Sequence, residues 1–218
     1  MGQKVNPTGF RIGNTFTWKS RWFAKKDDYQ GVILEDVKIR KYLNEKLAHA
    51  GVVGIDIERS ITTLKLILFV SRPGVVIGKG GENLRKVQAD LNRTINAHRD
   101  NGKKLKINLK VEEVRTPDLS AKLVAERIKD QIEKRYPHRR AVSQALEKVM
   151  AAGGKGVKIQ LSGRIGGAEI GRTEKYFEGS VPTQTLRANI DYFQGPALTK
   201  SGYVGIKVWI YKGMVDGK

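Results

Sequence analysis

From residue 75 to 85 the chain reads Val75-Val76-Ile77-Gly78-Lys79-Gly80-Gly81-Glu82-Asn83-Leu84-Arg85: a short apolar turn, a Gly-Lys-Gly-Gly loop, and the start of a helix. This stretch constrains the fold more than any other. Glycines at 78, 80 and 81 permit left-handed backbone and close approach of another backbone, because no side chain stands in the way. The amides of the loop and of the new helix point outward, where the helix dipole favours an anion. Lys79 adds a compact, movable positive charge. Neither the triphosphate pattern GxxxxGK[ST] nor the dinucleotide pattern GxGxxG with its downstream acid is present. A glycine-rich loop before a helix is also a common connector, so its meaning depends on what surrounds it.

Upstream, Asp36 is placed as the N-cap of a helix whose Ile39, Leu43 and Leu47 repeat every four residues until Gly51. Val53, Ile55 and Ile57 alternate with Asp56 and Glu58 as a half-buried strand. After a turn near Ser60, Leu64, Leu66, Leu68 and Val70 predict a second strand, broken by Arg72-Pro73-Gly74. Beyond the loop, Leu84, Val87, Leu91 and Ile95 mark a helix face, and Asn101-Gly102 a turn. Leu105, Ile107, Leu109 and Val111 then give a third strand with a charged outer face. The order α-β-β-α-α-β with a GxxG loop between the second and third helices is that of a type II KH domain. In KH domains that loop clamps about four nucleotides of single-stranded RNA. Gly78, Lys79, Gly80 and Gly81 are therefore candidate RNA-binding residues.

Thr116-Pro117-Asp118 interrupts the pattern. Ala121, Val124, Ala125, Ile128 and Ile132 form the stripe of a new helix that ends at Tyr136-Pro137, since a residue before proline leaves the helical region. Val142, Ala145, Leu146 and Val149 mark a second helix, closed by Ala152-Gly153-Gly154. Strands are predicted around Val157–Leu161, Leu186–Ile190 and Val204–Ile210, with residues 163–181 as a glycine-rich loop. The expected fold class is thus α+β with two domains: a type II KH domain at 36–115, then an αα plus three-stranded β layer domain at 116–218. Residues 1–35, punctuated by glycines and rich in cations, form a basic N-terminal extension. Trp18, Trp22 and Phe23 within it either anchor the arm to its own core or contact RNA.

The 41 Lys and Arg against 22 Asp and Glu leave a formal charge of +19. The excess is +5, +3, +6 and +5 over residues 1–50, 51–100, 101–150 and 151–218, so it is no isolated basic tail. Charge spread in this way points to a polyanion touching several surfaces. There is no cysteine, which excludes disulfides, thiolate zinc sites and thiol catalysis. No apolar run approaches membrane length, and no secretory core opens the chain. His49, His98 and His138 lack metal-ligand spacing, and neither a nucleophile elbow nor a triphosphate site is present. No metal, cofactor or enzymatic activity is expected.

Three segments extend the pattern to a family: Met1-Gly2-Gln3-Lys4-Val5-Asn6-Pro7, the loop at 76–81, and Ser162-Gly163-Arg164-Ile165-Gly166-Gly167-Ala168-Glu169-Ile170. With Thr185–Tyr192 and Gly205–Ile210, these resemble the bacterial-type ribosomal protein S-three family, in collinear order over essentially the whole chain. The resemblance implies a ribonucleoprotein component of the small-subunit head that binds ribosomal RNA and lines the entrance of the messenger channel, holding or opening mRNA during translation. It implies proteins ten, fourteen and two as head neighbours, proteins four and five at the channel entrance, and a cytoplasmic place on the ribosome. Bacterial and plastid-encoded chains would look alike here. The family's basic helix face falls on Arg139 and Arg140, whereas its further basic pair is replaced by Ser143 and Gln144.

The residues support that surface in their own right. Lys134, Arg135, Arg139 and Arg140 place four cations across one tight turn, and arginine forks suit phosphate. A charge run at a helix boundary is otherwise simply solvated. Lys4, Arg11, Lys19 and Arg21 in the extension, and Arg164, Arg172 and Lys175 in the glycine-rich loop, are candidate contacts to ribosomal RNA or neighbouring proteins. Two rival readings are a free KH regulator of messenger RNA and an RNA-processing enzyme on a KH scaffold. Even distribution of charge opposes the first, and the lack of a catalytic constellation opposes the second.

Overall fold

The computed structural model describes residues 5–96 and 105–215. Lys4, His98 and the Asn101-Gly102 turn lie outside the described residues. The chain forms two compact units: Trp18–Arg115 is one, and Thr116–Lys218 with the segment through Thr17 is the other. The first 35 residues are accordingly not one extension, because their two halves are built into different units.

In the Trp18–Arg115 unit, α2 (Lys26–Lys46) precedes β2 (Val52–Arg59) and β3 (Thr63–Val70). Then come α3 (Pro73–Ile77), α4 (Glu82–Asn96) and β4 (Lys106–Glu113). With the two-residue β1 (Ser20–Arg21), the strands form one sheet in the order β1-β2-β3-β4. β2 and β3 are antiparallel, and β3 and β4 are parallel, with Leu66 opposite both Ile57 and Leu109. The buried faces of Ile39 and Leu43 on α2 and of Val87, Leu91 and Ile95 on α4 share one core with Leu64, Leu66 and Leu68. A register shift between Val52 and Gly54 changes the expected alternation, so Val52 rather than Val53 is buried.

Asp36 is not a helix cap. It sits at the middle of α2 and is 5% exposed, because side chains from elsewhere satisfy its carboxylate. Ser20 Oγ donates to it at 3.1 Å, Trp22 Nε1 at 2.8 Å and Arg59 Nε at 2.9 Å. A charge-assisted set of this kind makes burial of a carboxylate tolerable. It also settles the aromatics: Trp22 anchors the chain, while Trp18 and Phe23 are exposed.

In the other unit, α5 (Ala121–Glu133) and α6 (His138–Ala151) pack on a fully antiparallel sheet. Its strands are β5 (Gly156–Gly163), β6 (Arg172–Gly179), β7 (Ala188–Thr199) and β8 (Gly202–Met214), in the order β6-β5-β8-β7. That is one strand more than the apolar pattern predicts. β6 lies inside the expected loop at 163–181 and escapes notice because it is an edge strand with no apolar stripe. Val124, Ile128, Val142 and Val149 from the helices meet Ile159, Leu161, Ile206 and Val208 from the sheet. Tyr211 is buried in a smaller cluster with Ile190, and Trp209 packs against it, 5.2 Å from the ring of Tyr192.

The start of the described chain is pinned to this second sheet. Asn6 caps the four-residue α1 (Pro7–Phe10), accepting from the amide of Thr8 at 2.9 Å. Arg11 follows and is fully buried. Its guanidinium donates to the carbonyls of Ala188 at 2.8 Å, Pro7 at 3.0 Å, Thr183 at 2.9 Å and Thr185 at 2.8 Å. Arg11 is therefore a structural rivet and not the RNA contact expected of it: all three of its nitrogens are spent on main-chain oxygens.

Candidate nucleic-acid interface

The glycine loop is shaped by its backbone. Pro73 opens α3 where a missing amide costs nothing. Gly78 ends it with φ 71° and ψ −176°, a region reserved in practice for glycine, and its amide still donates to the Gly74 carbonyl at 2.9 Å. A Cβ at Gly78 would sit 2.8 Å from the Asn83 side-chain amide, which reaches back to the Val75 carbonyl at 3.4 Å. Gly80 and Gly81 are also left-handed, at φ 62° and 79°, but a Cβ on either would meet open space. Gly78 thus sets the loop's path, while Gly80 and Gly81 keep its outer side free of bulk. Lys79 is exposed at the tip. At the start of α4, Glu82 is paired with Lys86 at 2.6 Å, so the acid nearest the loop is already neutralised locally.

The second set of cations is made of side chains. Lys134 caps the C-terminus of α5, and Arg135 follows with φ 60°. The Tyr136 amide donates to the Gln131 carbonyl and the Arg135 amide to Ile132, each at 2.9 Å. Those two bonds make a Schellman ending, with arginine at the left-handed position that glycine usually takes. After Pro137, α6 begins with His138, Arg139 and Arg140, so two permanent cations occupy the positive end of the helix dipole. Each such placement costs about 0.3–1 kcal/mol. Neither a left-handed arginine nor a cation at the positive end of a helix is favoured by the local backbone.

β6 braces this end of α6. His138 Nε2 lies 3.0 Å from Glu174 Oε2, and Arg172 Nε donates to the same carboxylate at 2.6 Å. The Tyr176 hydroxyl donates to it too; with Arg172 and the charge of His138, that bond drives the Glu174 pKa down to about 2 against the opposing effect of burial. Burial raises the Tyr176 pKa, and its hydrogen bond to Glu174 raises it further, while Arg139 works in the opposite direction. Arg139 and Arg140 border a shallow pocket with Ser143, Leu146 and Tyr176. Glu174 and Tyr176 were invisible as site residues in the sequence. The one available signal was that they alternate with Lys175 and Phe177 and so share a strand face.

The remaining candidates divide. Lys19 and Lys175 are exposed. Arg21 is half-exposed but faces two carboxylates, Asp56 at 3.7 Å and Glu58 at 3.3 Å, so much of its charge is matched within the protein. Arg164 is exposed, with Nε bonded to the Ala168 carbonyl at 2.8 Å, and Arg172 is tied to Glu174. Lys4 lies outside the described residues. Among the described residues, no group of three or more acids and histidines is placed to hold a metal, and no helix is long and apolar enough to cross a membrane.

A GxxG loop in this α-β-β-α-α-β unit, followed in the chain by an α+β unit with a cationic helix end, defines an RNA-binding protein of the KH class. The comparisons agree. Residues 38–119 match the KH domain model, and residues 128–210 match that of ribosomal protein S3, C-terminal domain. Small ribosomal subunit protein uS3 of Caldanaerobacter subterraneus is 48% identical over 215 residues, covering 99% of this chain and 94% of that protein. Its namesake in Caldicellulosiruptor saccharolyticus is 46% identical at the same coverage. That of Polaromonas naphthalenivorans is 44% identical across all of this chain and 71% of its own. The chain belongs to the S3 family of small-subunit ribosomal proteins. That family is a structural, RNA-binding and non-enzymatic kind.

Proposed function

We propose that this protein is a structural constituent of the small-subunit head, binding ribosomal RNA, and that the start of α6 faces messenger RNA at the channel entrance. The observation that carries the second part is the placing of Arg139 and Arg140 in the first turn of α6, exposed and against the helix dipole. Their forks can hold phosphates of a single strand in planar, bidentate fashion. Gripping one strand opposes re-pairing of a hairpin while translocation supplies the work, so no catalytic group is needed. Ser143 and Gln144 continue the same face without charge, which makes Arg139 and Arg140 the centre of the grip here. Lys134 lies just before them. The KH loop at Gly78–Gly81 and the exposed Lys19, Arg164 and Lys175 serve ribosomal RNA and the neighbouring proteins ten, fourteen and two, with four and five across the channel.

Ribosomes carrying Arg139→Ala with Arg140→Ala test the reading. They are expected to slow on messages with stable hairpins and to keep normal speed on unstructured ones, with the variant present at one copy per subunit. Equal slowing on both messages would overturn it.

A further inference from the structure

The basic side chains around the α5–α6 turn do not all share one surface. Arg139 and Arg140 border the shallow pocket beside Tyr176, whereas Arg135 and His138 line a different cleft of about 520 Å³. Its other walls are the Arg164–Gly167 turn after β5 and the Leu198–Ser201 tip of the β7–β8 hairpin. The glycine turn ties those walls together. A Cβ on Gly166 would lie 4.0 Å from His138 Nδ1, and one on Gly167 would lie 3.4 Å from Ser201 Oγ. Both glycines are left-handed, at φ 67° and 83°. Glu133, the acid of the cleft, accepts from the Leu198 amide at 3.0 Å and so fastens the hairpin to the end of α5.

We propose that this cleft is a pocket for one nucleotide, with the base on its apolar wall and the phosphate between Arg135, Arg164 and Lys200. The composition selects that ligand class. Ile165 and Val204 form a buried floor, and the exposed Leu198 and Tyr136 supply a rim against which a flat ring can lie. Three cations line a cleft whose single carboxylate is already engaged, which suits a phosphate and disfavours an amine or a neutral apolar ligand. The volume falls within the usual range of small-molecule sites, about 300–1,000 Å³. Arg135, which lines the cleft, holds a left-handed conformation that costs roughly 1 kcal/mol in any residue but glycine. The pocket is independent of Arg139 and Arg140 and of the messenger-channel reading.

The test uses the full chain with isotope-labelled Ile, Leu and Val methyl groups, titrated with adenosine and uridine monophosphates and with a single-stranded RNA hexamer. The methyl signals of Ile165, Leu198 and Val204 are expected to shift and saturate. Shifts with the monophosphates identify a site open to free nucleotides; shifts with the hexamer alone identify a nucleotide held within a strand. Arg135→Gly relieves the backbone while removing the guanidinium, so it is expected to melt no lower than the parent yet bind about tenfold or more weakly. Arg164→Ala with Lys200→Ala is expected to weaken binding likewise. No shift with any of the three ligands, or full affinity in both cleft variants, would overturn the proposal.

Discussion

The loop at Gly78–Gly81 and the first turn of α6 both offer positive potential to a polyanion, and they build it by opposite means. In the loop the donors are main-chain amides, the glycines exist to expose them, and Lys79 is the only charge. At α6 the charge comes from two arginines in the first turn, and β6 holds the neighbouring His138 through Glu174. A backbone site survives the loss of any one side chain but fails when its path is changed or its charge is reversed. A side-chain site shows the opposite sensitivity. The difference gives each region its own way of breaking.

The largest effect is expected at a cation belonging to neither site. Arg11→Ala strands at least four carbonyls that now accept from the guanidinium, and a loss of about 3–5 kcal/mol is expected. Denaturant midpoints measure it, with Arg164→Ala as an exposed control expected to stay within about 0.5 kcal/mol. A small stability change together with weaker RNA binding would restore Arg11 to the interface. Next comes charge reversal in the loop. Lys79→Asp with Gly80→Asp sets two anions before the phosphate path and is expected to weaken single-stranded RNA binding tenfold to a hundredfold. Lys79→Ala alone removes only one phosphate contact and is expected to lower the log–log salt slope by about 0.7. If the alanine variant matches the double aspartate, the loop binds through its side chain and the contrast with α6 is lost.

The two sites also differed in how far they could be read from sequence. The KH unit was legible because apolar periods of 3.6 and 2 fall on consecutive segments and a glycine loop falls between two of them. Its first helix was misjudged for a physical reason. Lys26–Glu35 carries exposed Tyr29, Ile33 and Leu34 with no partner stripe in the core, and Asp36 looked like a cap because its half-buried donors Ser20, Trp22 and Arg59 are distant in the chain. Arg11 resembled the other cations of its segment, since nothing in the sequence marks the carbonyls of residues 183–188 as its acceptors. At α6 the arginines were visible, but β6, which braces His138 beside them, was not. An edge strand whose core-facing positions are only Glu174 and Tyr176, both half-buried, leaves almost no hydrophobic signal.

A subtler change separates path from charge. Gly78→Ala keeps every charge but brings a Cβ to within 2.8 Å of Asn83 in a backbone region that alanine avoids, at a cost of about 1–3 kcal/mol. Gly80→Ala meets open space and carries only the smaller left-handed penalty, about 1–2 kcal/mol. Melting temperature and RNA affinity are expected to fall together for Gly78→Ala, with affinity nearly kept for Gly80→Ala. Equal affinity loss in both would mean that Gly80 contacts the ligand backbone directly, and the loop's working length would be redrawn.

The smallest effect tests the brace behind α6 through pH. Glu174 titrates at about 2 in the fold, with the Tyr176 hydroxyl as the chief cause, whereas an unperturbed glutamate titrates near 4.5. A carboxylate whose pKa is depressed by folding contributes stability that is complete above its unfolded value and is lost as pH falls through its folded one. The difference in stability between the parent and Glu174→Gln is therefore expected to be full at neutral pH and to shrink from about pH 4.5 down to 2. Its neutral-pH size is expected to be about 1 kcal/mol, because glutamine keeps an acceptor for Tyr176 and the Arg172 side is half-exposed. If Glu174 orders the helix end as well as stabilising it, Glu174→Gln at neutral pH also reduces the hairpin dependence attributed to Arg139 and Arg140. A pH-independent difference would show that the carboxylate's charge plays no part, and the cations of α6 would then hold their positions without β6.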